Sequence, residues 1–148
     1  MATSICDKLR AGVTTASADE TRALAENFAR ALPPDTTLAL HGDLGVGKTT
    51  FVQGLAHGFG VTDAVTSPTF TIFTLHRGSR TLVHLDAYRL NHANQLDSLM
   101  LEDFLLSPYC LAVEWPEHVA SWLPPDTLHL DLGIAPDARH TLRLRAHA

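Results

Sequence analysis

Gly42-Asp43-Leu44-Gly45-Val46-Gly47-Lys48-Thr49 restricts the fold of this 148-residue chain more than any other stretch. It fits G-x-x-x-x-G-K-[ST], a loop that wraps a phosphate chain and aims successive backbone N–H groups at it. Its glycines permit backbone turns that a side chain would block. A helix starting near Gly47 would turn the positive end of its dipole toward the same anion. Lys48 is placed to reach the β- and γ-phosphates, and the Thr49 hydroxyl to hold Mg²⁺. The motif demands a strand before it and a helix after it. Residues 37–40 form a short apolar strand bounded by Pro33-Pro34-Asp35, and residues 50–56 read as a helix with an apolar face. The chain has nine arginines and only two lysines, Lys8 and Lys48. A composition that otherwise favours Arg keeps Lys where a compact point charge suits the site.

The rest of the chain supplies a sheet around that centre. Residues 1–16 are small and polar without periodicity, which predicts a mobile N-terminal segment before one domain spanning 17–148. Ser17 and Glu20 form a capping box, followed by Leu24, Ala25, Phe28, Ala31 and Leu32 at helical spacing. Pro33-Pro34 ends that helix, and Gly58 and Gly60 close the one after the phosphate loop. Residues 69–75 and 81–86 read as a hairpin across the Arg77-Gly78-Ser79-Arg80 turn. Residues 90–106 read as a helical region with Leu96, Leu99, Met100 and Phe104 on one side. Residues 110–114 are a continuous apolar run, the mark of a strand buried on both faces. Residues 127–132 and 141–145 alternate as two further strands, paired antiparallel. Strands alternating with helices predict an α/β sandwich with a mixed, largely parallel sheet.

Two acids stand at the ends of apolar strands. Leu82-Val83-His84-Leu85-Asp86 ends in a carboxylate, and ligands of open α/β sheets sit at such carboxyl ends. Asp86 therefore reads either as a Mg²⁺-binding acid or as the cap of the following turn. Glu114 ends the next apolar run, where a carboxylate is costly to bury without a partner. Magnesium or a polarised water would be that partner; a solvated strand end is the plainer reading. Trp115 suits the core as well as the site. His84 shares a face with Asp86 and reads either as a residue that supports the site from behind its acids or, as the safer reading, as core packing. Arg89 can reach a phosphate or pair with an acid. Thr66-Ser67-Pro68-Thr69 reads as a hydroxyl-bearing segment that senses a γ-phosphate or as an ordinary loop.

Composition removes several classes. A net charge of −5 lacks the basic footprint of a stand-alone nucleic-acid binder. Cys6 and Cys110 lie far apart without metal spacing, and the histidines form no zinc pattern. No apolar run approaches the roughly 18 residues of a membrane span. Nor does the start of the chain have the apolar centre of a signal peptide. The expected location is the cytoplasm.

Four segments in order, Gly42 to Thr50, Ser67-Pro68-Thr69-Phe70, His84-Leu85-Asp86-Ala87-Tyr88-Arg89-Leu90 and Val113-Glu114-Trp115-Pro116, resemble the bacterial TsaE (YjeE) family. The likeness runs from about Ser17 to Arg145. Val46 stands where the family usually has Ala, and Ala87 where it often has Leu; neither removes a functional group. The resemblance implies a P-loop NTPase-like three-layer sandwich and an ATPase, slow alone, required for threonylcarbamoyladenosine formation in tRNA. It implies ATP and Mg²⁺ as cofactors. The implied partners are TsaB and TsaD, with TsaC in the same system and tRNA met only through the complex. It also implies a residue set. Gly42, Asp43, Leu44, Gly45, Val46, Gly47, Lys48, Thr49 and Thr50 hold phosphate, with Trp115 in support. Thr49, Asp86 and Glu114 sit at the metal. Lys48, Thr69, Asp86 and Glu114 carry the hydrolytic step. Residues 17–21 with Ala138-Arg139 are candidates for the adenine pocket. Two other readings stay open from the residues alone: a small phosphate-loop kinase of a metabolite, and a nucleotide-gated binding module that does not hydrolyse. The segment after Asp86 has one nearby arginine, whereas a kinase lid usually carries several. No N-K-x-D segment appears, which argues against GTP.

Overall fold

The structure is a computed structural model that describes residues 4–43, 45–65, 72–92 and 94–146. A seven-stranded sheet has the order β1-β7-β6-β2-β5-β4-β3. At its centre β6 (Leu128–Ile134), β2 (Thr36–His41), β5 (Tyr109–Glu114) and β4 (Thr81–Asp86) run parallel. β3 (Phe73–Arg77) flanks β4, β7 (His140–Leu144) flanks β6, and β1 (Val13–Thr15) flanks β7, all antiparallel. The fold is the mixed, largely parallel α/β sheet that the sequence predicts. β2 and β5 are buried almost end to end, as strands covered on both faces must be. β6 and β7 alternate between buried and more open positions, as half-covered antiparallel strands do.

Helices α1 (Ile5–Ala11), α2 (Ala18–Ala31) and α3 (Lys48–Gly58) cover one face. Their apolar side chains join Leu38, Leu40, Leu82, Ala112 and Leu130 in one core. The Ser17 half of the predicted capping box forms, and Glu20 reaches one residue further back than the box requires. Ser17 Oγ accepts from Glu20 N–H at 3.1 Å, and the Glu20 carboxylate accepts from Ala16 N–H. Its buried stripe runs through Thr21, Ala25, Phe28 and Ala29, with Ala29 in the place expected of Ala31. The Phe28 and Phe51 rings meet at 6.0 Å, each burial contributing about 1.5–3 kcal/mol. α2 and α3 approach closely because Gly54 lacks a side chain: a Cβ there would lie 2.4 Å from Arg22 O.

Two expectations are corrected. The segment read as mobile, residues 1–16, contains α1 and β1. Ser4 caps α1, Leu9 is fully buried, and β1 pairs with β7 from Val13 to Thr15. Among the described residues, regular structure thus begins at Ile5. Nor is there one helix over 90–106. A single turn, α4 (Gln95–Ser98), is followed by a 3-10 turn at Leu101–Phe104. Met100 interrupts with φ 53 and is exposed. Leu90, Leu96 and Leu101 are the buried anchors of this stretch, and their spacing is longer than a helical turn. They pack with Val83, Leu85, Leu111 and Val113 on the second face of the sheet. That third layer is therefore irregular rather than helical. Among the described residues, no helix is long and apolar enough to cross a membrane.

Candidate functional site

The glycine loop leaves β2 at its carboxyl end and enters α3, as the motif requires. Gly47 caps α3 in the left-handed region, φ 100, which costs a residue with a side chain about 1–2 kcal/mol. Gly42 has φ 148, and a Cβ there would lie 2.6 Å from Leu132 O and 2.7 Å from Val46 Cγ2. Val46 thus fills the space that Gly42 leaves, which accommodates its extra bulk. One neighbour was not legible in the sequence. His140, on β7, donates from Nδ1 to Val46 O at 2.9 Å and pins the loop.

Lys48 begins α3 and is only 5% exposed. Its ammonium donates to Gly42 O at 2.7 Å and lies 3.9 Å from the centroid of the Trp115 ring. A cation over an indole face is attracted by the ring quadrupole. Burial lowers the Lys48 pKa below the ordinary lysine value; Glu114, Glu117, Asp86 and Asp43 act in the opposite direction. Trp115 itself takes φ 56, and Tyr88 packs against it with ring centroids 5.1 Å apart. The indole is thus part of the site rather than only of the core.

Asp86 and Glu114 are partners in the parallel β4–β5 register. Both lie on the sheet face that α3 covers. Asp86 is half-buried, and its Oδ1 accepts from Tyr88 N–H at 3.0 Å. Glu114 is 5% exposed, and its Oε2 accepts from His84 Nε2 at 2.5 Å. His84 is fully buried.

These groups meet in one cleft of about 360 Å³, within the roughly 300–1,000 Å³ usual for small-molecule sites. Gly45, Gly47, Lys48, Thr49 and Thr50 line it together with Asp86, Glu114, Trp115 and His140. The donor set fits a phosphate chain with a hard cation. A helix start and a lysine offer positive charge, while a hydroxyl and two carboxylates offer the oxygen ligands Mg²⁺ prefers.

The structure brings Lys48, Thr49, Thr50, Asp86, Glu114 and Trp115 together as the sequence suggested. Asp43 is exposed and does not line the cleft. Leu44 and Thr69 fall outside the described residues, as does the rest of 66–71. The chain on either side of that segment is anchored. Val65 O accepts from Gln53 Nε2 of α3 at 3.0 Å, and Ile72 O accepts from Asp86 N–H at 2.8 Å. Residues 17–21 and Ala138-Arg139 are absent from the cleft wall, although β1 sets Thr15 opposite His140 and so brings the start of α2 near the loop. Cys110 is fully buried, and burial pushes its thiol up to about 12, which leaves it inert.

A curated relative from Treponema pallidum, named tRNA threonylcarbamoyladenosine biosynthesis protein TsaE, is 34% identical over 85% of this chain and 93% of its own length. The Bacillus subtilis protein of the same name is 35% identical over 89% of this chain and 83% of its own. The crystal structure of Bacillus subtilis YdiB superposes with a TM-score of 0.77 at 35% identity, covering 93% of this chain and 85% of that one. The family described as threonylcarbamoyl adenosine biosynthesis protein TsaE matches residues 15–141, the span that holds the loop, both acids and the pinning histidine. By that match and these relatives, the chain belongs to the TsaE family.

Proposed function

We propose that this chain binds ATP with Mg²⁺ and hydrolyses it in the cytoplasm, in support of tRNA threonylcarbamoyladenosine biosynthesis, by acting on a TsaB–TsaD complex. One observation carries the reading: a glycine cradle, a buried lysine and two strand-end acids from separate stretches of the chain converge on one cleft. The loop amides and Lys48 hold the phosphates, with Lys48 leaving Gly42 O and the Trp115 face to reach them. Thr49 and Asp86 are the ligands for Mg²⁺, with Glu114 beside them. Bound magnesium would neutralise charge on the β- and γ-oxygens. Glu114 accepts a proton from the attacking water. The water oxygen bonds to the γ-phosphorus, the bond to the bridging oxygen breaks, and ADP and phosphate leave. Thr69 belongs to this reading as the hydroxyl that senses the γ-phosphate. Turnover is slow in isolation, because no arginine lines the cleft among the described residues to steady the transition state.

ATP hydrolysis measured with and without a TsaB–TsaD complex tests this. The expected result is slow turnover alone and faster turnover with the complex, both abolished by Lys48→Ala. No ATP binding by the wild-type protein in calorimetry would overturn it.

A further inference from the structure

We infer that His84 is a positioning residue: it holds one Glu114 oxygen so that the other is presented to the cleft. The inference rests on the hydrolytic reading of Glu114. His84 is fully buried and Glu114 nearly so, and Nε2 meets Oε2 at 2.5 Å. His84 lies one residue pair below Asp86 on β4 and opposite Ala112 on β5, so its ring underlies the strand-end acids.

A carboxylate only accepts hydrogen bonds, which puts the imidazole proton on Nε2. Nδ1 has no hydrogen-bond partner among the described residues. An apolar side chain would fill this core position without leaving a buried polar atom unpaired. What the histidine adds is a fixed N–H donor aimed at Glu114. A buried carboxylate without such a partner would be unfavourable, and a mobile one would make a poor base. A base oriented by a third group is the general arrangement of activated nucleophiles. In the hydrolytic step the water proton passes to Glu114 and His84 keeps its own.

Two substitutions separate orientation from packing. The amide nitrogen of Gln can take the place of Nε2, whereas the shorter Asn reaches only about as far as Nδ1. His84→Asn should lower kcat roughly 10- to 100-fold, the usual scale for an outer-shell partner, with KM for ATP within a few-fold. His84→Gln should restore kcat to within about five-fold of wild type. A reading without nucleotide comes from imidazole ¹⁵N NMR, with the His84 signals identified by their loss in His84→Gln. The free wild-type protein should show the Nε2–H tautomer. Equal kcat in both variants, a parallel rise of KM in both, or an Nδ1–H tautomer would overturn the inference. Should His84→Asn fail to fold by circular dichroism, the wild-type tautomer decides it. Failure of the functional reading looks different: wild type itself would then not hydrolyse ATP with the complex present. That result overturns both.

Discussion

Asp86 and Glu114 are neighbours across β4 and β5, yet they occupy different surroundings. Asp86 stands at the half-buried end of its strand, and its side chain turns to the backbone of the next residues, taking Tyr88 N–H. Glu114 is nearly enclosed, with a fully buried imidazole on one oxygen. The first can shift toward a hydrated ion at little cost. The second is held in place and partly cut off from water, where a carboxylate interacts more strongly with whatever faces it. Pairing in the sheet therefore does not give two acids the same surroundings; what packs behind each one differs.

Glu114 and Asp86 both act on the Lys48 ammonium. Lys48→Ala removes it, and ATP binding should disappear in calorimetry while circular dichroism stays native. Wild-type affinity in that variant would break the comparison at its root. Glu114→Gln comes next in size. It keeps the shape and removes the charge, so hydrolysis should fall about 10²-fold or more, the scale of a general base. Asp86→Asn should act earlier, weakening ATP–Mg²⁺ binding roughly 10- to 100-fold, as expected for a lost contact to a charged group. The affinity for ATP without Mg²⁺ should change far less, which titration in EDTA checks. The smallest effect sharpens the contrast in stability. Glu114→Ala leaves the buried His84 donor unpaired and should cost about 1–3 kcal/mol. Asp86→Ala should cost under about 1 kcal/mol by the same denaturant titration. Equal losses would mean that the two acids are equally embedded.

Much of this site can be read from the sequence because its parts are local. The glycine loop, β2 and α3 are continuous in the chain, and each acid ends a run of apolar residues. The Ser17 cap and the β3–β4 hairpin are likewise short-range patterns. What escapes is non-local. His140 reaches Val46 only because β7 lies beside β6, and β6 beside β2. The His84–Glu114 bond joins residues 30 apart, and alternation places His84 on the face of Asp86 without revealing its partner. α1 has seven residues, too few for a clear period, and it is held by burial of Leu9 and by the pairing of β1 with β7. In residues 90–106 the apolar content suggested a helix, but the buried leucines are spaced as anchors for an irregular chain.

The division between the two acids is tested most directly by one paired measurement. ATP–Mg²⁺ affinity and single-turnover hydrolysis, in the presence of the TsaB–TsaD complex, are compared for Asp86→Asn and Glu114→Gln. The account predicts opposite patterns. Asp86→Asn loses affinity, and its hydrolysis recovers substantially when Mg²⁺ and ATP are raised to saturation. Glu114→Gln binds within a few-fold of wild type and stays about 10²-fold slow at saturation. A Glu114→Gln variant that hydrolyses at the wild-type rate would contradict it, and so would one that loses nucleotide binding as Asp86→Asn does.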